Sequence, residues 1–210
     1  MKGYFAGKKR GLLLIVLFYW MAGCTGTSEP VKFYRLTPVV PADSSDNSGT
    51  GGTAIRIGLG PIEFPDYLNR PQLVLDAGGS GIIISEFHRW AEPLRKNFSS
   101  TLVENLEVLL LPNTIFEYPW PPSIQVDWRI ILQVIRFEGD NGGKVELIAR
   151  WMMLEGGKQN LDRTGRARIL ETVSSAGDFD ALVAAQSRAV GELSREIARE
   201  VLSLSSMNSP

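Results

Sequence analysis

The sequence predicts an α+β fold: a largely antiparallel mixed sheet with two amphipathic helices packed on one face. Three observations lead there. Stretches at 124–134, 144–154 and 163–173 alternate apolar and polar residues and are joined by glycine-rich turns. Period-two alternation means a strand with one face on a core, and short turns mean antiparallel neighbours. Two further stretches, after Glu92 and after Asp178, repeat apolar residues at three and four, the spacing of a helix with one buried stripe. A sheet with one apolar face needs a covering layer, and these helices supply it.

Taken in order, "KFYRL" at 32–36 is a short strand. "TPVVPADSSDNSGTGGT", 37–53, is rich in Ser, Gly, Pro and Asp. It has too few apolar residues to order itself and reads as a flexible loop. In "AIRIGLGPIEFP", 54–65, Ile55, Ile57 and Leu59 point one way. Two short strands, around Gln72–Leu75 and Ile82–Ser85, meet at Gly78-Gly79-Ser80-Gly81, a hairpin turn. Pro93 suits a helix first turn. Leu94, Phe98, Leu102, Leu106 and Leu109 form the apolar face, and Pro112 stops the helix.

The clearest strand is "PPSIQVDWRIILQVIRF", with Ile124, Val126, Trp128, Ile130, Leu132 and Val134 on one face. Ile131 and Ile135 interrupt its polar face, so its far end is expected to be covered on both sides. In 144–154, Val145, Leu147, Ala149, Trp151 and Met153 share a face. In 163–173, Arg166, Arg168 and Leu170 alternate. Asp178 caps the last helix, whose core face carries Phe179, Leu182, Val183, Gln186, Val190, Leu193, Ile197 and Val201. That face packs on the sheet or, as the alternative, binds a partner. Residues 205–210, "SSMNSP", fray as a disordered tail.

The N-terminus addresses the chain. Lys2, Lys8, Lys9 and Arg10 precede the apolar run "GLLLIVLFYW", 11–20. That run is shorter than the roughly 20 residues that span a bilayer and has the length of a signal-peptide core; the alternative is an uncleaved anchor. Cys24 is the only cysteine, so no intramolecular disulfide can form. It follows Ala22-Gly23, which resembles the lipobox of bacterial lipoproteins, with Met21 where leucine is usual. On that resemblance 1–23 are a lipoprotein signal peptide, Cys24 is lipidated, and 24–204 form a single periplasmic domain. More than one acyl chain gives stable anchoring. Thr25, not aspartate, follows the cysteine, which favours the outer membrane by resemblance to Gram-negative sorting.

Lys and Arg total 22 and Asp and Glu 23, for a net charge of −1. No clustered basic face argues for nucleic acid. A single histidine and a single cysteine argue against a zinc site. The chain carries no P-loop, nucleophile elbow or dinucleotide fingerprint, so no cofactor is expected. An enzyme reading would rest on His88 acting near Ser85, Glu86 or Glu92, although neighbours on a strand point to opposite faces. The alternative makes His88 part of a strand-to-helix corner, bonding a backbone group. Two more stretches join aromatic residues to prolines: "PDYLNRPQ", 65–72, with Asp66, Tyr67, Arg70, Pro71 and Gln72, and "FEYPWPP", 116–122, with Tyr118 and Trp120. Such side chains dominate binding hot spots; the other reading is packing beneath a rigid turn.

"IGLGPIEFPDYLNRPQLV", "ISEFHRWAEPL", "FSSTLVENLEVLL" and "FEYPWP", in that order, resemble the PqiC (YmbA) family of envelope lipoproteins, as does "FYRLTP". The resemblance covers nearly the whole mature chain, with a longer loop at 38–53. It implies a non-enzymatic, lipid-anchored adaptor at the outer membrane, assembled as a homo-oligomeric ring. Its partner would be an MCE-domain (PqiB-like) protein that forms a periplasm-spanning conduit for lipid. On this reading "EFHRWAEPL" is a corner in which Glu86, Arg89 and Glu92 make charged hydrogen bonds and Trp90 packs. The alternatives are a structural lipoprotein that binds peptidoglycan and a His88-dependent periplasmic hydrolase.

Overall fold

A computed structural model describes residues 29–39, 54–157 and 161–207, and the fold is that of the unit starting at Val31. The signal segment, Cys24 and residues 205–210 apart from the helix backbone to 207 lie outside what can be described, as do 40–53 and 158–160.

Among the described residues, eight strands and two helices follow in the order β1 (Lys32–Tyr34), β2 (Arg56–Glu63), β3 (Gln72–Gly78), β4 (Gly81–Trp90), α1 (Leu94–Leu109), β5 (Thr114–Glu117), β6 (Trp128–Asp140), β7 (Lys144–Glu155), β8 (Leu161–Thr172) and α2 (Phe179–Met207). A 3₁₀ turn, Asp66–Leu68, joins β2 to β3. All strands form one mixed, open sheet. Its long ladders, β6 with β7 and β7 with β8, are antiparallel, as is the β3–β4 hairpin. On its other edge β6 runs parallel to β2 and then, at its end, to β3. β5 adds parallel to β2, and β1 parallel to the end of β4.

The helices pack on one face of this sheet, as the alternation requires. Ile130, Leu132 and Val134 of β6 and Val145, Leu147, Ala149, Trp151 and Met153 of β7 are buried against Phe98, Leu102 and Leu106 of α1 and Val190, Leu193 and Ile197 of α2 in one core. Each buried Val, Leu, Ile, Phe or Met side chain among them contributes about 1.5–3 kcal/mol. Phe98 meets Phe64 and Phe137 edge to face, at 5.2 and 5.3 Å. Asp178 caps α2, its Oδ1 accepting the N–H of Asp180 at 2.8 Å.

Several sequence expectations change. β6 begins at Trp128, so Ile124 and Val126 do not extend its alternation; prolines 121 and 122 cannot donate to a ladder. A bulge in β6 leaves Ile135 unpaired between Val134↔Ala149 and Arg136↔Ile148. The phase then shifts by one, and Phe137 rather than Arg136 turns to the core. That shift accounts for Ile135; Ile131 precedes it and stays half-buried on the face opposite the core. β5 was not expected, since its four residues are too few to alternate visibly. β4 continues to Trp90, not Ser85, and α2 runs to Met207, through the first part of the expected tail.

The loop reading also changes at its start. Residues 36–39 form a strap pinned to both helices. The Leu36 N–H donates to Asn97 Oδ1 at 2.6 Å, Thr37 N–H to Ser187 Oγ at 3.1 Å, and Val39 N–H to Asn105 Oδ1 at 2.9 Å. Asn97, Asn105 and Ser187 are buried at 6, 0 and 1 % exposure. These buried polar groups are the acceptors that an irregular segment over a helix layer needs.

Candidate functional site

The "EFHRWAEP" stretch becomes a corner because β4 bulges. Gln72 pairs with Arg89 and Val74 with Ile84, so Ser85–His88 all lie opposite Leu73. The extra residues undo the usual alternation. Ser85 and His88 therefore meet, with Oγ 2.8 Å from Nδ1. The His88 ring stacks on Phe179, the first residue of α2, at 3.7 Å and 7°, and lies 5.8 Å from Tyr34. The sequence reading named neither Phe179 nor Tyr34 beside His88. Of the neighbours the enzyme reading names for His88, Ser85 is the one that meets the ring, and it stands where the alternative reading expects a backbone group. A serine beside a histidine is the start of a nucleophile–base pair, but among the described residues no carboxylate orients the ring's other nitrogen.

Beyond the bulge the chain is held from two sides. Trp90, 5 % exposed, donates its N–H to the Pro71 carbonyl at 2.7 Å, and Ala91 donates to the Tyr34 carbonyl at 2.8 Å. Glu92 accepts from Asn97 Nδ2 at 3.2 Å and pairs with Lys96 at 3.7 Å. Asn97 thus links the corner to the strap. Of the three charged hydrogen-bonding residues expected here, only Glu92 takes part. The bulge leaves Glu86 exposed, and Arg89 Nε is buried without a partner.

The "DYLNRPQ" residues sit on the 3₁₀ turn and the start of β3. Asp66 is exposed, and Gln72 pairs with Arg89. Arg70 Nε donates to the Tyr67 carbonyl at 2.8 Å. The Tyr67 hydroxyl donates to Glu138 at 2.7 Å, beneath a network in which Arg136 reaches Asp76, Glu138 and Glu146. Burial and then the bond to Glu138 push the Tyr67 phenol well above its usual range. Tyr67 lies over the outer face of β6 at its far end.

"YPWP" packs over the outer face of β2. Trp120 lies so close to Gly58 that a Cβ there would sit 2.4 Å from its ring; at Gly60, with φ +113°, a Cβ would sit 2.8 Å from that of Tyr118. Glycine is the residue that permits both approaches. The Tyr118 and Trp120 rings stand edge to face at 5.7 Å, and the Arg129 guanidinium lies 5.7 Å from each. Arg129 Nε also donates to the Gly60 carbonyl at 3.2 Å.

Two adjoining cavities gather these distant stretches. One, of about 400 Å³, is lined by Gly60, Asn69, Pro93, Ser99 and Tyr118 among others. The other, of about 310 Å³, is lined by Asn69, Arg70, Pro71, Trp90, Glu92 and Pro93. Asp66, Glu86 and His88 line neither. Among the described residues no cluster of His, Cys, Asp and Glu could hold a metal, and no helix is long and apolar enough to cross a membrane.

The arrangement is that of an α+β domain with an open mixed sheet covered by two helices and proline-rich aromatic stretches around two adjoining cavities. Residues 34–198 match the family described as ABC-type transport auxiliary lipoprotein component, and the chain belongs to that family. It is a family of transport auxiliary lipoproteins and not a known enzyme family. No functionally curated protein matches the sequence. The fold is similar to that of an uncharacterized protein of known crystal structure, with 20 % identity and TM-score 0.67 over 82 % of this chain and 99 % of that one. It is also similar to a Xanthomonas campestris protein from a domain family of unknown function, with 16 % identity and TM-score 0.64 over 79 % of this chain and 92 % of that one.

Proposed function

We propose that this lipoprotein is tethered through Cys24 to the periplasmic face of the outer membrane, assembles as a homo-oligomeric ring, and docks an MCE-domain conduit that moves lipid between the membranes. The single observation that carries a docking role is the tip of the β3–β4 hairpin. Ile82, Ile83 and Ile84 are 44, 40 and 40 % exposed. β1 pairs with β4 only over His88–Trp90, so among the described residues the outer edge of β4 at the isoleucines has no partner strand. An exposed apolar strand edge is a template for a further strand and a liability in a lone domain.

The test is an affinity pull-down from gently solubilised envelopes, with the wild-type chain and Ile83→Asp compared. Recovery of an MCE-domain protein by the wild type and its loss in the variant supports the reading. Equal recovery by both assigns docking to another surface. Failure of the intact outer-membrane bait to recover such a protein overturns the reading, and binding to isolated sacculi would then favour a peptidoglycan role.

A further inference from the structure

We infer that the uncovered face of the sheet, centred on Arg150 and Arg166, lies against a bilayer surface that carries anionic phospholipids. Both helices pack on the other face, so the outward side chains of β7 and β8 have no layer over them among the described residues. Arg150 of β7 stands directly opposite Arg166 of β8. Both are exposed, and neither has an ionic or hydrogen-bond partner among the described residues. Cross-strand neighbours of this kind have Cβ atoms about 4.5–5.5 Å apart, and like charges so placed repel. One row along, Arg136 and Arg168 flank Ile148, and there the charge is answered: both reach Glu146, at 3.0 and 2.7 Å. On the other side of Arg150 stands the neutral Gln133. Glu63 lies beyond it and forms no ion pair with either arginine among the described residues. Composition does not account for this face. The whole chain has a net charge of −1 with Lys2, Lys8, Lys9 and Arg10 included, so the domain itself is acidic. A surface that supplies anions relieves the repulsion between the two arginines.

The rest of the face has the character of a headgroup boundary. Met152, 41 % exposed, occupies the pair next to the arginines, and Leu170, 60 % exposed, lies two pairs the other way. Over β2 the same face continues with Tyr118, 50 % exposed, and the half-buried Trp120. The Arg129 guanidinium lies 5.7 Å from each of these rings. Tyrosine and tryptophan with an apolar body and a polar tip, and arginines with apolar stems, settle where headgroups meet acyl chains. The tether selects a bilayer over an acidic protein. Cys24 lies eight positions before Lys32, where β1 begins, and eight residues span at most about 29 Å. The inference rests on the proposed function for that tether alone, which keeps the domain beside the headgroups; it is independent of the docking edge.

The test uses the intrinsic fluorescence of the full chain in vesicles whose phospholipids are brominated near the head of the acyl chain. Trp90, Trp128 and Trp151 are buried, so the difference in quenching between wild type and Trp120→Phe reads this face. In vesicles of equal parts phosphatidylglycerol and phosphatidylcholine Trp120 should be quenched, and in phosphatidylcholine alone it should not. Arg150→Gln combined with Arg166→Gln should shift the face-bound equilibrium back by about twenty- to thirtyfold, at about fivefold for each arginine. The melting temperature of that variant should be no lower than wild type, because the pair it removes is repulsive. Flotation with neutral vesicles reads the tether separately, and Ile83→Asp should leave the quenching unaltered, so this inference and the docking reading fail separately. Equal quenching in neutral and anionic vesicles, no quenching in either, or undiminished quenching in the double variant overturns the proposal. Loss of an acidic protein from the pull-down by the double variant, without quenching of wild type in vesicles, assigns the face to a protein and overturns it as well.

Discussion

Asn97→Ala removes the side chain through which the strap and the corner are joined. Asn97 Oδ1 is the acceptor for the Leu36 N–H at 2.6 Å, and Leu36 is 2 % exposed. The variant leaves that donor buried and unpaired, a cost of about 1–3 kcal/mol. Loss of the longer bond to Glu92, 3.2 Å and partly exposed, adds a few tenths of a kcal/mol. Alanine's better helix propensity returns about 0.5 kcal/mol. The net is a destabilisation of about 2 kcal/mol, which for a domain of this size lowers the melting temperature by about 4–8 °C. The assay is thermal unfolding by circular dichroism, with amide hydrogen exchange read at Leu36, Thr37 and Val39. The strap should exchange faster while β6 and β7 keep their protection. A melting temperature within about 1 °C of wild type, with unchanged exchange at Leu36, would refute the claim that the strap is held by buried side-chain acceptors.

Gly58→Ala should cost about 1–3 kcal/mol by forcing its new methyl into the Trp120 ring, and near-ultraviolet circular dichroism should show the aromatic cluster rearranged; an unaltered spectrum and melt would mean that the loop gives way freely. Trp90→Ala should cost about 3–5 kcal/mol in urea unfolding; a loss below about 1 kcal/mol would show that the corner does not depend on its packing. Tyr67 yields a pH prediction. Its folded-state value lies above the unfolded value near 10. Between the two the unfolded chain binds fewer protons, so stability is fully present below about pH 10 and declines as pH rises above it. Tyr67→Phe should flatten that alkaline decline, and an identical pH profile in the variant would count against the buried bond to Glu138.

Much of the fold is legible in the residues because burial is written as periodicity. In β7 the five residues on one face of the alternation are the five buried in the core. α2 follows its three-and-four spacing from the Asp178 cap onward. Legibility fails where a strand departs from its own period. The bulge at Ile135 reverses the faces of β6, and the bulge at Ser85–His88 brings together two side chains that a regular strand would separate. Neither bulge leaves a local mark, since each is a fact about the partner strand's register. The buried polar residues of α1 were equally hidden. Asn97 looks like a solvent-facing helix residue until the strap arrives from 61 positions away to use it.

The candidate site divides along the same line. "YLNRPQ", "EFHRWAEPL" and "YPW" stand out in the chain as proline-stiffened aromatic stretches, and their order carries the family resemblance. That they meet around shared cavities is decided by parallel pairing of β2 with β6 and by antiparallel pairing of β3 with β4, contacts far apart in sequence. That Arg150 and Arg166 face each other likewise emerges only once β7 and β8 are in register. Composition, periodicity and local motifs by themselves determined the fold class, most of the core faces and the motifs that mark the family. Tertiary structure decided which polar groups are buried with partners and which without, because a hydrogen-bond partner supplied by a distant segment has no signature in the residues that need it.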